Sequence, residues 1–159
     1  MLTLPIIRTP PRLLPTAQEP RGRILFADDD EDLRILLAVH LRRCGYDVVE
    51  FQDGEGLLDY IGALMMRNPS DVRHSDTVIL DVRMPGFSGL QILTSLRRAG
   101  WKNPIVIETA LRQGIESAAL NLGATALIFK PFDVDAVVNM LQELEHYRPT
   151  LTFIDGIGQ

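Results

Sequence analysis

The sequence predicts an α/β fold built on a parallel sheet, and three observations predict it. Short apolar runs alternate with segments of helical period, each helical segment follows one run, and 159 residues suffice for one domain with appendages rather than two full domains. The first run is ILFA (24–27), and the domain starts just before it at Arg23. Leu33, Leu36, Leu37, His40, Leu41 and Cys44 then recur at three- and four-residue steps, one stripe of a helix that Gly45 closes as a C-cap. The second run is VVEF (48–51), followed by a stripe of Leu57, Leu58, Ile61, Leu64 and Met65. The segment MRNPSDVRHSD (66–76) is longer than an ordinary helix-to-strand connection and reads as an insertion or a short extra element. The third run, TVIL (77–80), precedes Leu90, Leu93 and Leu96; the fourth, IVI (105–107), precedes Ile115, Ala118, Ala119 and Leu122. The fifth, ALIF (126–129), precedes Val134, Val137, Met140, Leu141 and Leu144. Five strands and five helices result.

Composition bounds the function. A net charge of −5 leaves no basic field for nucleic acid or anionic lipid. One cysteine, Cys44, excludes an internal disulfide, and no Cys/His spacing resembles a zinc site, so a cytoplasmic protein is expected. No stretch approaches the roughly 18 apolar residues of a membrane span, and Pro5, Pro10, Pro11 and Pro15 break the apolar continuity a signal peptide needs. Five of the ten prolines fall in the first 20 residues, which marks 1–22 as an extended arm. Residues 147–159 read as a tail, leaving 23–146 as the domain.

The chemistry stands at strand ends. Asp28, Asp29 and Asp30, with Glu31 and Asp32, follow the first strand, and Asp81 follows the third. Ligands of open parallel sheets sit beyond the carboxyl ends of the strands, where the winding reverses. If the first and third strands are neighbours at that reversal, Asp28, Asp29 and Asp81 converge, and two like charges about 4 Å apart repel by roughly 4 kcal/mol at an effective dielectric of 20. A cation must sit among them, and oxygen ligands without His or Cys suit Mg2+. Asp30 and its acidic followers also serve as a helix N-cap. Thr109 ends the fourth strand and Lys130, one of two lysines against 14 arginines, ends the fifth. A hydroxyl and an ammonium there can reach a phosphoryl group on Asp81. Pro85 and Pro131 stiffen the adjoining loops.

These residues carry a resemblance. ILFADDDED, TVILDVRMPGFSG, IVIETA and IFKPF, in that order and spacing, resemble the four motifs of the response regulator receiver domain of two-component signalling, over residues 23 to 146. The resemblance is to the stand-alone, chemotaxis-regulator-like type. It implies a flavodoxin-like, doubly wound five-stranded parallel sheet in the order 2-1-3-4-5. It further implies that Asp81 accepts the phosphoryl group and that Asp29 and Asp81 ligate Mg2+, with Asp28 holding it through water and the backbone carbonyl of Arg83 completing the protein ligands. Thr109 and Lys130 would meet the phosphoryl oxygens, and the Lys130–Pro131 peptide would be cis. A histidine kinase or histidine phosphotransfer protein would be the donor. The chain would not be an enzyme beyond catalysing its own phosphotransfer and dephosphorylation. With no output domain after the fifth helix, the expected output is contact with a downstream protein, without direct nucleic-acid binding or membrane insertion.

The chain departs from that family's pattern at Leu127, where an aromatic switch residue is usual, and at Glu108, which puts a charge where an apolar residue is usual. Arg83 and Leu111 occupy rim positions that tune phosphoryl lifetime in the family. These departures motivate an alternative, a receiver-like interaction module that works without phosphorylation. A nucleotide or flavin site is disfavoured because DDDED repels phosphate. A haloacid-dehalogenase-like phosphatase would need a carboxylate at Arg83. His40, on the sheet-facing stripe, reads as a packed histidine and Cys44 as a small hydrophobe. On the face opposite Asp81, the arm, the 66–76 segment and the tail should emerge together, with Tyr46 and Trp101 within reach of Leu151, Phe153 and Ile154.

Overall fold

The computed structural model describes residues 19–146. Its elements in chain order are β1 (Arg23–Ala27), α1 (Glu31–Arg43), β2 (Asp47–Phe51), α2 (Gly54–Arg67), a 3-10 turn (Pro69–Asp71), β3 (Thr77–Asp81), α3 (Gly89–Arg98), β4 (Ile105–Thr109), α4 (Ile115–Asn121), β5 (Ala126–Phe129) and α5 (Val134–Leu144). The strands form one sheet in the order β2-β1-β3-β4-β5, with every neighbouring pair parallel. This is the five-stranded doubly wound sheet that the sequence reading expected.

The central strands β1, β3 and β4 are buried along their whole length, because helices cover both faces of a parallel sheet. Strand periodicity of two then sorts the side chains. Ile24, Phe26, Ile79, Val106 and Ile128 pack with Leu37 and Leu41 of α1 and Val137 and Leu141 of α5. Leu25, Ala27, Val78, Leu80, Ile105 and Ile107 pack on the other face with residues of α2, α3 and α4 and with Trp101 of the α3–β4 connection.

Helix starts follow side-chain chemistry. Asp30, Asp53, Ser88 and Asp133 each accept a backbone N–H as N-caps, and Ser88 with Gln91 makes a capping box. Gly45 has a φ of +95°, the left-handed conformation expected just after α1. The 66–76 segment holds the short 3-10 turn.

Two details correct the sequence reading. On α1 the buried residues are Leu37, Ala38 and Leu41, whereas Leu36 is 58% exposed and Ile35 and Val39 also face solvent. At about 100° per residue the buried arc is centred between Leu37 and Ala38, which turns Leu36 outward. His40 is at the margin of that arc and reaches Asp135 of α5 at 2.9 Å rather than packing on the sheet. Near the strand N-termini, Tyr46 and Trp101 are already buried, one in each core. The expected arm (1–22, described only from residue 19) and tail (147–159), including the placement of Leu151, Phe153 and Ile154, lie outside the described residues.

A buried ion pair that the sequence reading did not anticipate holds the strand N-termini and the long connection together. Arg23 donates to both carboxylate oxygens of Asp76, at 2.6 and 3.1 Å, and to the carbonyl of Asp71. Asp76 also accepts from the Arg73 amide. Arg21 and Tyr46 both donate to Glu145 just beyond α5.

Candidate functional site

Four strands deliver the site by alternation. Asp28, Asp81, Glu108 and Lys130 each lie two residues beyond Phe26, Ile79, Val106 and Ile128, so all four project on the α1/α5 side at the carboxyl ends of their strands. The β1–β3 register pairs Ala27 with Leu80, which sets Asp28 beside Asp81, and β3–β4 pairs Asp81 with Glu108. Oxygen atoms of Asp28, Asp29 and Asp81 all lie within 4.8 Å of one another; Asp28 and Asp81 are buried and Asp29 is exposed. A group of three hard oxygen donors open to solvent at one corner fits a hydrated divalent cation such as Mg2+.

Lys130 offsets part of the charge. Its ammonium donates to Asp28 Oδ2 at 2.8 Å and stands 3.4 Å from Asp81 Oδ1. The peptide bond that follows it, Lys130–Pro131, is cis. Asp28 is held further by the Asp30 amide on Oδ1, and its carbonyl accepts from Arg34 of α1.

Burial pushes the Asp81 carboxyl above its ordinary range; Lys130 and the Arg83 amide pull it back, while Asp28 adds to the rise. For Lys130, burial alone would lower the pKa, but the bond to Asp28 and the surrounding carboxylates outweigh it and the net shift is upward. Glu108 contributes to that pull only while ionised, and burial holds it well above the carboxylate range. Glu108 is fully buried, and neither of its oxygens accepts a hydrogen bond from a donor group. After burial, Asp28 favours the proton further, first as the acceptor for the protonated acid and then through its charge. The carboxyl read at this position in the sequence is thus, in the fold, shifted towards its protonated form.

Thr109 is buried at the end of β4, where its Oγ1 accepts from the Leu111 amide at 3.0 Å. That leaves the hydroxyl proton free to be donated. Arg83 is exposed two residues beyond Asp81, at the rim. Between Asp81 and α3 the chain doubles back so closely that only glycine fits at position 89. A Cβ there would lie 2.3 Å from the Asp81 carbonyl oxygen, so the glycine that closes the second motif fixes the turn that presents Asp81.

The sequence reading thus named the residues that come together: Asp28, Asp29, Asp81 and Lys130 meet, with Thr109 and Arg83 at the margin. It did not anticipate Glu108 beneath Asp28 and Lys130, although counting by two from Val106 would have placed it there. Nor did it anticipate Arg112, whose guanidinium carbon sits 5.0 Å from the centre of the Phe129 ring.

Comparison with known proteins agrees with this geometry. The response regulator receiver domain family model matches residues 24–142. The chain is 32% identical over 111 residues to the alkaline phosphatase synthesis transcriptional regulatory protein PhoP of Bacillus subtilis, spanning 69% of this chain and 42% of that one. It is 34% identical over 142 residues to response regulator MprA of a Mycobacterium species, spanning 84% of this chain and 58% of that one. Among solved structures, the response regulator TrrA of Thermotoga maritima in complex with Mg2+ and BeF matches with a TM-score of 0.62 at 27% identity, covering 77% of this chain and 98% of that one. The chain belongs to the response regulator receiver domain family, the phosphoryl-accepting signalling domain of two-component systems rather than an enzyme class of its own. It spans less than two thirds of the length of these curated relatives. Among the described residues, no helix is long and apolar enough to cross a membrane.

Proposed function

We propose that this chain takes a phosphoryl group from the phosphohistidine of a histidine kinase or histidine phosphotransfer protein onto Asp81, and signals in the cytoplasm by altered contacts with a downstream protein. The observation that carries this reading is the approach of Asp28, Asp29 and Asp81 within 4.8 Å of one another, with the Lys130 ammonium 3.4 Å from the Asp81 carboxylate. An Asp81 oxygen forms the new O–P bond as the N–P bond breaks, and the bonding pair leaves with the imidazole nitrogen. Asp29 and Asp81 would hold Mg2+ directly, Asp28 through water, and the Arg83 carbonyl would complete the protein ligands. Bound there, Mg2+ supplies charge neutralisation to the phosphoryl oxygens. The Lys130 ammonium pairs with those oxygens and the Thr109 hydroxyl donates to them, so the protein's part is positioning and charge stabilisation.

Acetyl phosphate with Mg2+ should add one phosphoryl mass to the intact chain, and Asp81→Asn should abolish it. Phosphorylation of Asp81→Asn at the parental rate would overturn the assignment. An unmodified parent under these conditions would favour the second reading, an interaction module on the receiver fold that works without phosphorylation, to which Leu127 and the buried Glu108 point.

A further inference from the structure

The loop 110–114 is fastened to the two strand ends that carry Thr109 and Lys130. Its first fastening is the Leu111 amide, which donates to Thr109 Oγ1 at 3.0 Å. Its second is Arg112, stacked 5.0 Å from the centre of the Phe129 ring. Thr109 and Phe129 are register partners across β4 and β5, so their side chains stand side by side on one face, and the Lys130 amide bonds the Thr109 carbonyl at 2.8 Å. Turning the Thr109 hydroxyl about χ1 towards an oxyanion on Asp81 carries the acceptor away from the Leu111 amide. The loop must then lose that bond or follow the hydroxyl, and if it follows, Arg112 is drawn along the ring it rests on. Leu111 packs against the core and is the loop's anchor, whereas Arg112 and Gly114 beyond it are exposed and Gly114 has a φ of +72°, so the outer part of the loop is held by the Arg112 contact rather than by core packing.

We propose that the Arg112–Phe129 stack is a latch that holds the loop, and with it the Thr109 hydroxyl, in the resting position, which makes Arg112 a positioning residue for the phosphoryl site. The proposal rests on Asp81 being the phosphoacceptor. Leu127, two residues before Phe129 on the same face, has no ring to offer a cation, so the aromatic partner of the loop is supplied next to Lys130 instead. The guanidinium is suited to the task because it lies flat on a ring while its edges stay hydrated.

The test combines amide hydrogen exchange in the unphosphorylated chain with phosphorylation by acetyl phosphate and Mg2+. Arg112→Ala should speed exchange at the Leu111 amide by about two- to five-fold, the ratio expected for an exposed cation–π contact, with Arg112→Lys intermediate. Phe129→Leu should act as Arg112→Ala does. In a Thr109→Val chain, where the Leu111 amide has lost its acceptor, Arg112→Ala should change exchange no further. The phosphorylation rate should rise by a similar factor in Arg112→Ala, because the hydroxyl is released more readily. Unchanged Leu111 exchange in Arg112→Ala, or an equal acceleration with and without the Thr109 hydroxyl, would overturn the latch. A parent chain that is never phosphorylated refutes the phosphoacceptor assignment and the positioning role with it, whereas the exchange measurement judges the latch contact by itself.

Discussion

Replacing Glu108 with leucine should make the protein more stable, and by an amount that depends on pH. The side chain is fully buried in β4 between Asp81 of β3 and Ile128 of β5, with neither oxygen accepting a hydrogen bond from a donor group. A buried polar group without a hydrogen bond costs about 1–3 kcal/mol, and a leucine of similar volume removes that cost while adding apolar burial. The carboxyl's folded pKa lies well above its ordinary 4.5, because burial and then Asp28 disfavour the anion. Below the ordinary value both folded and unfolded chains carry the proton and Glu108 adds no pH dependence. As pH rises past it the unfolded chain releases its proton first, so the parent loses stability until the folded pKa is passed. The slope is at most about 1.4 kcal/mol per pH unit. The advantage of Glu108→Leu should therefore be least near and below the ordinary carboxylate value and should grow as pH rises above it. Urea unfolding of both chains across this range, with EDTA to keep the carboxylates free of metal, measures it. Equal or lower stability of Glu108→Leu at neutral pH, or a difference that does not change with pH, would refute the reasoning. So would a change that follows net charge alone, which Glu108→Gln controls for by removing the charge and keeping the polar burial.

Millimolar Mg2+ should raise the melting temperature of the parent by relieving repulsion among Asp28, Asp29 and Asp81, by about 2.7 kcal/mol at 100 times the dissociation constant, and should raise that of Asp81→Asn less; differential scanning calorimetry reads both. Asp76→Asn leaves the Arg23 guanidinium buried beside a neutral partner and should cost about 3–5 kcal/mol in denaturant unfolding, with faster amide exchange at Arg73, whose N–H bonds the same carboxylate. Tyr46→Phe should cost about 0.5–1.5 kcal/mol through loss of the bond to Glu145. Burial and then that bond push the Tyr46 phenol above its ordinary 10.0. Its contribution is thus full below that value and declines as pH rises beyond it, and the difference in alkaline absorbance titration between parent and Tyr46→Phe should show no step at the ordinary phenol value.

Much of this protein was legible in its sequence because the relevant signals are local or strictly periodic. The alternation of runs such as TVIL and IVI with helical stripes states the α/β class, and carboxylates directly after a buried run must sit at a strand's carboxyl end. Asp28, Asp29, Asp81 and Lys130 could therefore be named before their distances were known. The pairing order of the strands came from family resemblance, because periodicity shows which face a residue takes but not which strand lies beside it.

Tertiary structure decided everything that depends on neighbours from distant segments. The upward shift of the Glu108 pKa follows from its position beside β3 and β5, where burial and Asp28 disfavour the anion. Leu36 and Leu37 are equally apolar, and only the rotation of α1 on the sheet determines that one is buried and the other exposed. Arg23 meets Asp76 across 53 residues of chain, and Arg112 meets Phe129 because β4 and β5 are register partners. No local pattern encodes either contact. The sequence by itself determines which chemical groups are available at strand ends, since that depends on period and order alone. Their protonation, spacing and mutual restraint arise from desolvation and charge interactions that exist only once the chain is folded.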